Sequence, residues 1–362
     1  MKKSLLALAV LAASGAAMAQ SSVTLYGVAD TGVTYTSGQE NVYGLTHLGG
    51  LTNSRLGFRG VEDLGGGLKA TFQLEAGVGI DDGTDYFTGS GMAFRRISKL
   101  GIEGGFGAVS LGRELTAAYM AVSRYDVFGD TGIGGSLAWK NGYDARTQNA
   151  VSYYTPTISG FRAGINYGFG EQVKARDNRY VGVGLAYDNG PISVGFGYDR
   201  QNNVLAKVFD DAGMDLTTWQ LGGSYNFGVA KVAAFYKETK YKEIVILGGG
   251  GDSDKLKTFG LGVTAPVGAG EVRASYNHHR ATGVGADLGN TLKADQFSLG
   301  YVHNLSKRTA LYGTYAYIKN KDNNGYHLGM ALNGAMTGGV KDNNVKDNGS
   351  QHGFQVGVRH AF

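Results

Sequence analysis

The 362-residue sequence has no cysteine, only three prolines and, beyond its first twenty residues, no long apolar run. Without cysteine, disulfides and thiolate metal sites are excluded. Without a second apolar stretch of about eighteen residues, a membrane protein built on spanning helices is excluded. Basic and acidic residues nearly balance (34 Lys+Arg against 30 Asp+Glu), so the composition carries no nucleic-acid footprint. What the sequence does have is 61 glycines, 22 tyrosines and 16 phenylalanines, an unusual mixture for a soluble globule. Small residues alternating with aromatics over many segments suit a transmembrane β-barrel, whose signal per strand is weak.

The leader MKKSLLALAVLAASGAAMAQ has a basic start (Lys2, Lys3), an apolar stretch from Leu5 to Ala13 and an A-x-A site at Ala17-Met18-Ala19. It reads as a secretory signal peptide over 1–19, leaving 20–362 as one mature domain.

The last dozen residues, QHGFQVGVRHAF, organise the rest. Phe354, Val356, Val358, His360 and Phe362 point one way; Gln355, Gly357, Arg359 and Ala361 point the other. An amphipathic strand at a chain end leaves an aggregating edge unless both its edges pair, and pairing with the first strand closes a barrel. That first strand alternates too, with Val23, Leu25, Gly27, Ala29, Thr31 and Val33 opposite Thr24, Tyr26, Val28, Asp30 and Thr34. Gly27 and Ala29 are small outward residues where a neighbouring subunit could approach. Between the two lie seven hairpins, at 54–77, 94–113, 146–169, 179–199, 216–238, 256–279 and 294–318. Pro156, Pro191 and Pro266 fall in their short turns, where a missing ladder donor does least harm.

The count predicts an all-β, sixteen-stranded antiparallel barrel with short turns at one end and long loops at the other, as in bacterial outer membranes. Tyr153, Phe161, Tyr187, Tyr225, Phe227 and Phe362 gather near the short-turn end and read as an interfacial girdle. The face opposite the apolar stripe carries Arg55, Lys69, Glu75, Arg95, Lys99, Arg162, Arg273 and Arg359. Lys231 and Lys237 join its basic side, and Asp30, Glu103, Asp188 and Asp199 its acidic side. A charged interior needs water, and so many strands leave a channel.

Several separated blocks, SSVTLYG, SRLGFRGVEDLGGGLKATFQLE, FGAVSLGRE, DQFSLGYVHNLSKRTALYGTYAYI and GVRHAF, resemble the general diffusion porins of Gram-negative outer membranes, beta-proteobacterial type. The resemblance implies a homotrimer among outer-membrane lipids and lipopolysaccharide. It also implies a third external loop folded into the lumen, and Phe362 as the signal read by the assembly machinery. Small hydrophilic solutes and ions would diffuse through the pore. A substrate-specific channel of sugar or phosphate type is the alternative.

The segment from Arg113 to Asn141 is long, irregular and moderately apolar (Leu115, Tyr119, Val122, Tyr125, Phe128), which suits a loop that packs into the lumen. Its Asp126 to Gly135 stretch resembles the family's loop tip, with Glu114, Asp126 and Asp130 as an acidic edge. By parity Arg55, Arg59, Arg95, Lys99 and Arg146 lie inside, on strands two, four and six, and resemble the family's basic wall opposite that loop. They could also simply pair with loop carboxylates. More anionic partners than these are lacking inside, so weak anion preference is expected.

No catalytic residue, metal site or cofactor is expected. His278 and His279 are adjacent on a strand and point to opposite faces. Gly248 to Gly251 lacks the lysine and hydroxyl of a phosphate loop. Neither a barrel hydrolase, which needs a nucleophile with its base or paired carboxylates, nor a closed adhesive barrel accounts for the charged interior.

Overall fold

In the computed structural model, the described residues are 22–38, 41–84, 92–139, 145–204, 214–242, 254–282, 291–322, 328 and 348–362. The leader and the 248–251 tip lie outside them.

Short turns and alternating residues give one continuous antiparallel sheet. Its strands are β1 (Ser22–Thr36), β2 (Val42–Leu45), β3 (Arg55–Gly65), β4 (Leu68–Gly77), β5 (Ile97–Gly104), β6 (Gly107–Leu115), β7 (Arg146–Tyr154), β8 (Phe161–Gly168) and β9 (Tyr180–Asn189). They continue as β10 (Ile192–Val204), β11 (Met214–Asn226), β12 (Lys231–Lys242), β13 (Asp254–Val267), β14 (Gly270–Thr282), β15 (Thr291–Asn304), β16 (Thr309–Lys321) and β17 (Ser350–Ala361). The sheet closes where β1 meets β17, from Val28↔Ala361 to Thr36↔Gly353.

Strands β2 and β3 share the other edge of β1, through Val33↔Leu45 to Thr36↔Val42 and Ser22↔Val61 to Val28↔Arg55. They form one stave interrupted by 46–54, so the barrel has sixteen staves. The short β2, within a stretch read from sequence as loop, is one difference from expectation. The interruption has a cause in Asp30, buried inside the barrel. Its carboxylate accepts the N–H groups of Gly50, Leu51 and Thr52 at 3.0, 3.0 and 2.7 Å, and the Tyr312 hydroxyl at 2.8 Å. Gly49 makes the inward bend with φ +99°, a conformation that L side chains resist.

The two faces of the wall differ as the period of two predicts. Val23, Leu25, Leu100, Phe161 and Phe227 are exposed outside, while Gln220, Gln296, Gln355, Asn166, Asn277 and Asn320 are buried inside. No helix among the described residues is long and apolar enough to cross a membrane. In hydrocarbon every backbone group must be paired within the protein, and a closed barrel does this.

Two local expectations change. Pro266 lies within β13, not in the turn, opposite Glu271. It is tolerated because the β12 ladder ends at Thr264, so no partner is missing on that side. Gly27 is not open to a neighbour, because the Phe362 ring covers it, and a Cβ there would lie 2.4 Å from that ring. Gly27 and Phe362 also exchange both backbone hydrogen bonds, at 3.0 and 3.1 Å.

Candidate functional site: the charged interior

The connection between β6 and β7 lies against the inward faces of other strands. It begins with helix α1 (Ala117–Val122), capped by Thr116, whose side chain accepts from the Tyr119 N–H at 3.2 Å. Asn166 on β8 takes the Ala117 N–H at 2.6 Å. From there its residues follow inward glycines around the wall. A Cβ on Gly184 of β9 would lie 2.1 Å from the Ala117 carbonyl oxygen, and one on Gly195 of β10 would lie 2.0 Å from that of Ala121. Tyr125 covers Gly222 on β11, Val127 covers Gly262 on β13, Phe128 approaches Gly300 on β15 and Ile133 approaches Gly353 on β17.

Polar contacts secure the same path. The Gln296 amide donates to the carbonyls of Ile133 and Gly135 at 3.2 and 3.1 Å, and Ser298 donates to that of Gly134 at 3.1 Å. The Lys237 ammonium donates to the Ala138 carbonyl at 2.6 Å and lies 4.8 Å from the centre of the Trp139 ring. Arg124 reaches the wall at Asp188, 2.9 Å away.

The basic residues gather on β3 to β7. Glu75 is central: Arg96 Nε is 2.7 Å from its Oε1, Arg55 Nε is 3.7 Å from its Oε2, and Tyr26 donates to that oxygen at 3.0 Å. Arg146 Nε donates to the Arg96 carbonyl at 2.9 Å. Arg59 lies 5.3 Å from the centre of the Tyr26 ring. Asp130 faces this group, accepting from Asn53 at 3.4 Å and from the Tyr119 hydroxyl at 3.2 Å. Burial first, then the neighbouring Asp130, holds the Tyr119 hydroxyl well above its ordinary range, so it stays a neutral donor.

Two sequence assignments need correction, and one wall residue was missed. Glu114 belongs to β6, not to the loop, and is 2.8 Å from Lys99 and 2.6 Å from Ser110. It neutralises a wall cation instead of facing it. Asp126 is buried within the segment, accepting from Trp139 Nε1 at 3.0 Å and from the Phe128 N–H at 3.1 Å. It braces the loop and presents no edge to the wall. The missed residue is Arg96, which makes the buried ion pair with Glu75, and beside it the Arg95 backbone carbonyl accepts from Arg113 Nε at 2.6 Å. Arg96 precedes β5, which begins at Ile97, and outside a strand the period of two no longer says which side chain turns inward. The Arg95-Arg96 pair was the available signal. Elsewhere the histidines separate by face: His279 is buried beside Thr258, and His278 pairs with Asp295 at 2.8 Å.

Burial, opposed by the Trp139 and backbone donors, raises the Asp126 carboxyl to about 6. A raised carboxyl costs stability while ionised, and the cost is relieved as pH falls from about 6 towards the unfolded value near 3.8. The linked effect is of order 3 kcal/mol. In Asp126→Asn, the part of the thermal stability profile between pH 4 and 7 due to this group is expected to vanish. Parallel melting-temperature profiles for variant and parent would refute this.

The comparisons agree with this architecture. A family model described as Gram-negative porin matches residues 5–323. Outer membrane porin protein 32 of Delftia acidovorans is 46% identical, with 100% of both chains covered. An outer membrane porin protein of Bordetella pertussis is 35% identical over 88% of this chain and 95% of its own. The solved anion-selective porin from Comamonas acidovorans superposes with a TM-score of 0.81 at 40% identity, covering 95% of this chain and 100% of its own. The trimer form of OmpT from Vibrio cholerae, 18% identical with a TM-score of 0.68, shares the fold over 94% of this chain and 99% of its own. A closed sixteen-stave barrel, apolar outside and charged inside, with a family match over most of its length, makes this chain a member of the Gram-negative porins, channels of the outer membrane.

Proposed function

We propose that the barrel is a general diffusion pore for small hydrophilic solutes and ions, weakly anion-preferring, with its selectivity set between β3–β7 and the segment after β6. The carrying observation is the charge balance there: Arg55, Arg59, Arg96, Lys99 and Arg146 against Glu75, Glu114 and Asp130. Glu75 and Glu114 are each held by a cation, so what remains projected into the water is positive. Low-dielectric walls focus such an excess along a pore. The anion selectivity of the Comamonas acidovorans porin points the same way.

The reading includes removal of residues 1–19, assembly as a homotrimer in outer-membrane lipid and lipopolysaccharide, and recognition of Phe362 by the assembly machinery. In the trimer, a neighbouring subunit would pack on the apolar outward residues of β1, β2 and β17 (Val33, Tyr43, Leu45, Phe354, Val356). A trimeric form also exists for the Vibrio cholerae barrel.

Bilayer recordings in a salt gradient test the selectivity. The parent should give a reversal potential of the sign for chloride over potassium, weakening at high salt as screening shortens below about 8 Å. Replacing Arg55, Arg96 and Arg146 with serine should widen the pore and lower the permeability ratio by about two- to fivefold. Cation selectivity in the parent, or an unchanged ratio in the variant, would sink the proposal. Conductance that saturates with one solute would instead favour a substrate-specific channel.

A further inference from the structure

Two connections on the long-loop side of the barrel meet through residues 46–54 and 78–84. The first is the segment that bends inward onto Asp30, and its start is fixed to β1. The Thr46 N–H donates to the Gly32 carbonyl at 2.9 Å, and the Thr46 hydroxyl takes the Gly32 N–H at 2.7 Å. The second segment leaves β4 and folds back at once. Gly79 donates to the Thr84 carbonyl at 2.9 Å and Gly83, with φ +76°, donates to the Gly79 carbonyl at 2.8 Å. Backbone bonds join the two segments, from Val78 to the Ser54 carbonyl at 3.2 Å and from Ile80 to the His47 carbonyl at 3.4 Å.

His47 projects into this junction. Its Nδ1 lies 2.8 Å from Asp81 Oδ1 and 3.5 Å from Asp82 Oδ1. The imidazole side chain is only 12% exposed, whereas that of Asp82 is 49% exposed and open to water. Asp82 Oδ1 also accepts the Thr84 N–H and hydroxyl, both at 2.8 Å, which fixes the direction of that carboxylate. The ring lies against Gly79, where a Cβ would stand 2.2 Å from Cε1 and 2.5 Å from Nδ1. Only glycine at that position leaves room for the imidazole. Among the described residues, no lysine or arginine pairs with either carboxylate. Two adjacent carboxylates therefore face one imidazole and no fixed cation.

One ring nitrogen and two carboxylate oxygens lie within 4.8 Å of one another, as the donors of a transition-metal site do. Around a tetrahedral zinc ion about 2.0–2.2 Å from each donor, neighbouring donors stand about 3.4 Å apart. The separation of His47 and Asp82 already suits this, and Asp81 needs to retreat by about half an ångström. We propose that His47, Asp81 and Asp82 bind a divalent transition-metal ion of the zinc class, with water completing its shell on the exposed side. The imidazole sets the class, because magnesium and calcium take oxygen donors, whereas nitrogen with carboxylates suits zinc, copper or nickel. On binding, Nδ1 exchanges its hydrogen bond to Asp81 for a bond to the metal, and the ring carries its hydrogen on Nε2. The ion clamps the inward-bending segment to the one after β4. The inference does not rest on the diffusion reading, since none of the three residues belongs to the charge set of the constriction. It departs from the expectation of no metal site, and no local spacing announces it, because His47 and Asp81 lie 34 positions apart.

The test uses the purified mature protein in detergent, stripped with a chelator, and zinc chloride as the probe in titration calorimetry. The parent should bind one zinc ion per chain at this site. His47→Gln and, separately, Asp81→Asn should each weaken that binding by at least about tenfold. Gly79→Ala should weaken it too, because the added methyl displaces the ring. The other histidines are present in every variant, so a loss in His47→Gln isolates this site. Single-channel conductance of the metal-free variants should match the parent, which certifies the fold and separates failure of this site from failure of the pore reading. No zinc binding by the parent, equal affinity in His47→Gln, or displacement of zinc by equimolar magnesium would overturn the proposal. If His47→Gln does not fold, Asp81→Asn carries the test, with the same loss expected and equal affinity refuting it.

Discussion

Deleting Phe362 is expected to lower the amount of barrel in the outer membrane at least about tenfold, with the conductance of each inserted pore unchanged; the energetic loss at the seam is at least about 2 kcal/mol. The ring fills the space left by Gly27, and the two residues close the last rung between β1 and β17. Phe362 is 48% exposed, so covering about half of its ring contributes about 1 kcal/mol, and each ladder hydrogen bond about 0.5–1.5 kcal/mol net. Removing both opens the seam where the barrel must close, and an open edge in lipid has no alternative partner. Gly27→Leu should act in the same direction, because its side chain and the Phe362 ring would claim one space. Immunoblots of outer-membrane fractions and single-channel recordings make the measurement. Parental levels of the deletion variant would show that the seam tolerates the loss.

Glu75→Gln is expected to destabilise the folded barrel by about 3 kcal/mol and to strengthen anion preference. Glu75 lies between Arg96, itself buried, and Arg55, and takes the Tyr26 hydroxyl as well. Neutralising it leaves two guanidiniums facing each other with one shared counter-charge gone. Removing one member of a buried pair costs about 3–5 kcal/mol, and the water-filled side of this site places the value at the lower end. The unfolding temperature should fall, and the chloride-to-potassium permeability ratio should rise. Equal stability, or a ratio moving the other way, would mean that Glu75 does not govern the charge seen by passing ions.

Much of the barrel was legible because its information is local. A period of two assigns Gln355 inside and Phe354 outside without reference to any other strand, and the burial of one and exposure of the other follow it. Short turns with glycine or asparagine marked all seven hairpins, which is enough to count the staves. The misassignments share one cause. Arg96, which was missed, and Glu114 and Asp126, which were misplaced, all lie at or beyond a strand end, where alternation stops and the chain bends according to what it meets. The inward bend at 46–54 likewise depends on Asp30 and on Tyr312 from β16, which is far away in sequence.

The sequence by itself determined the sixteen staves, their two faces, the charged interior and the family. These rest on patterns that each short segment carries alone. Tertiary structure decided which guanidinium meets Glu75, that Phe362 closes over Gly27, and that the segment after β6 follows glycines on β9 to β17. Each of these is a contact between residues that become neighbours only when register and closure are set, and no local pattern records it.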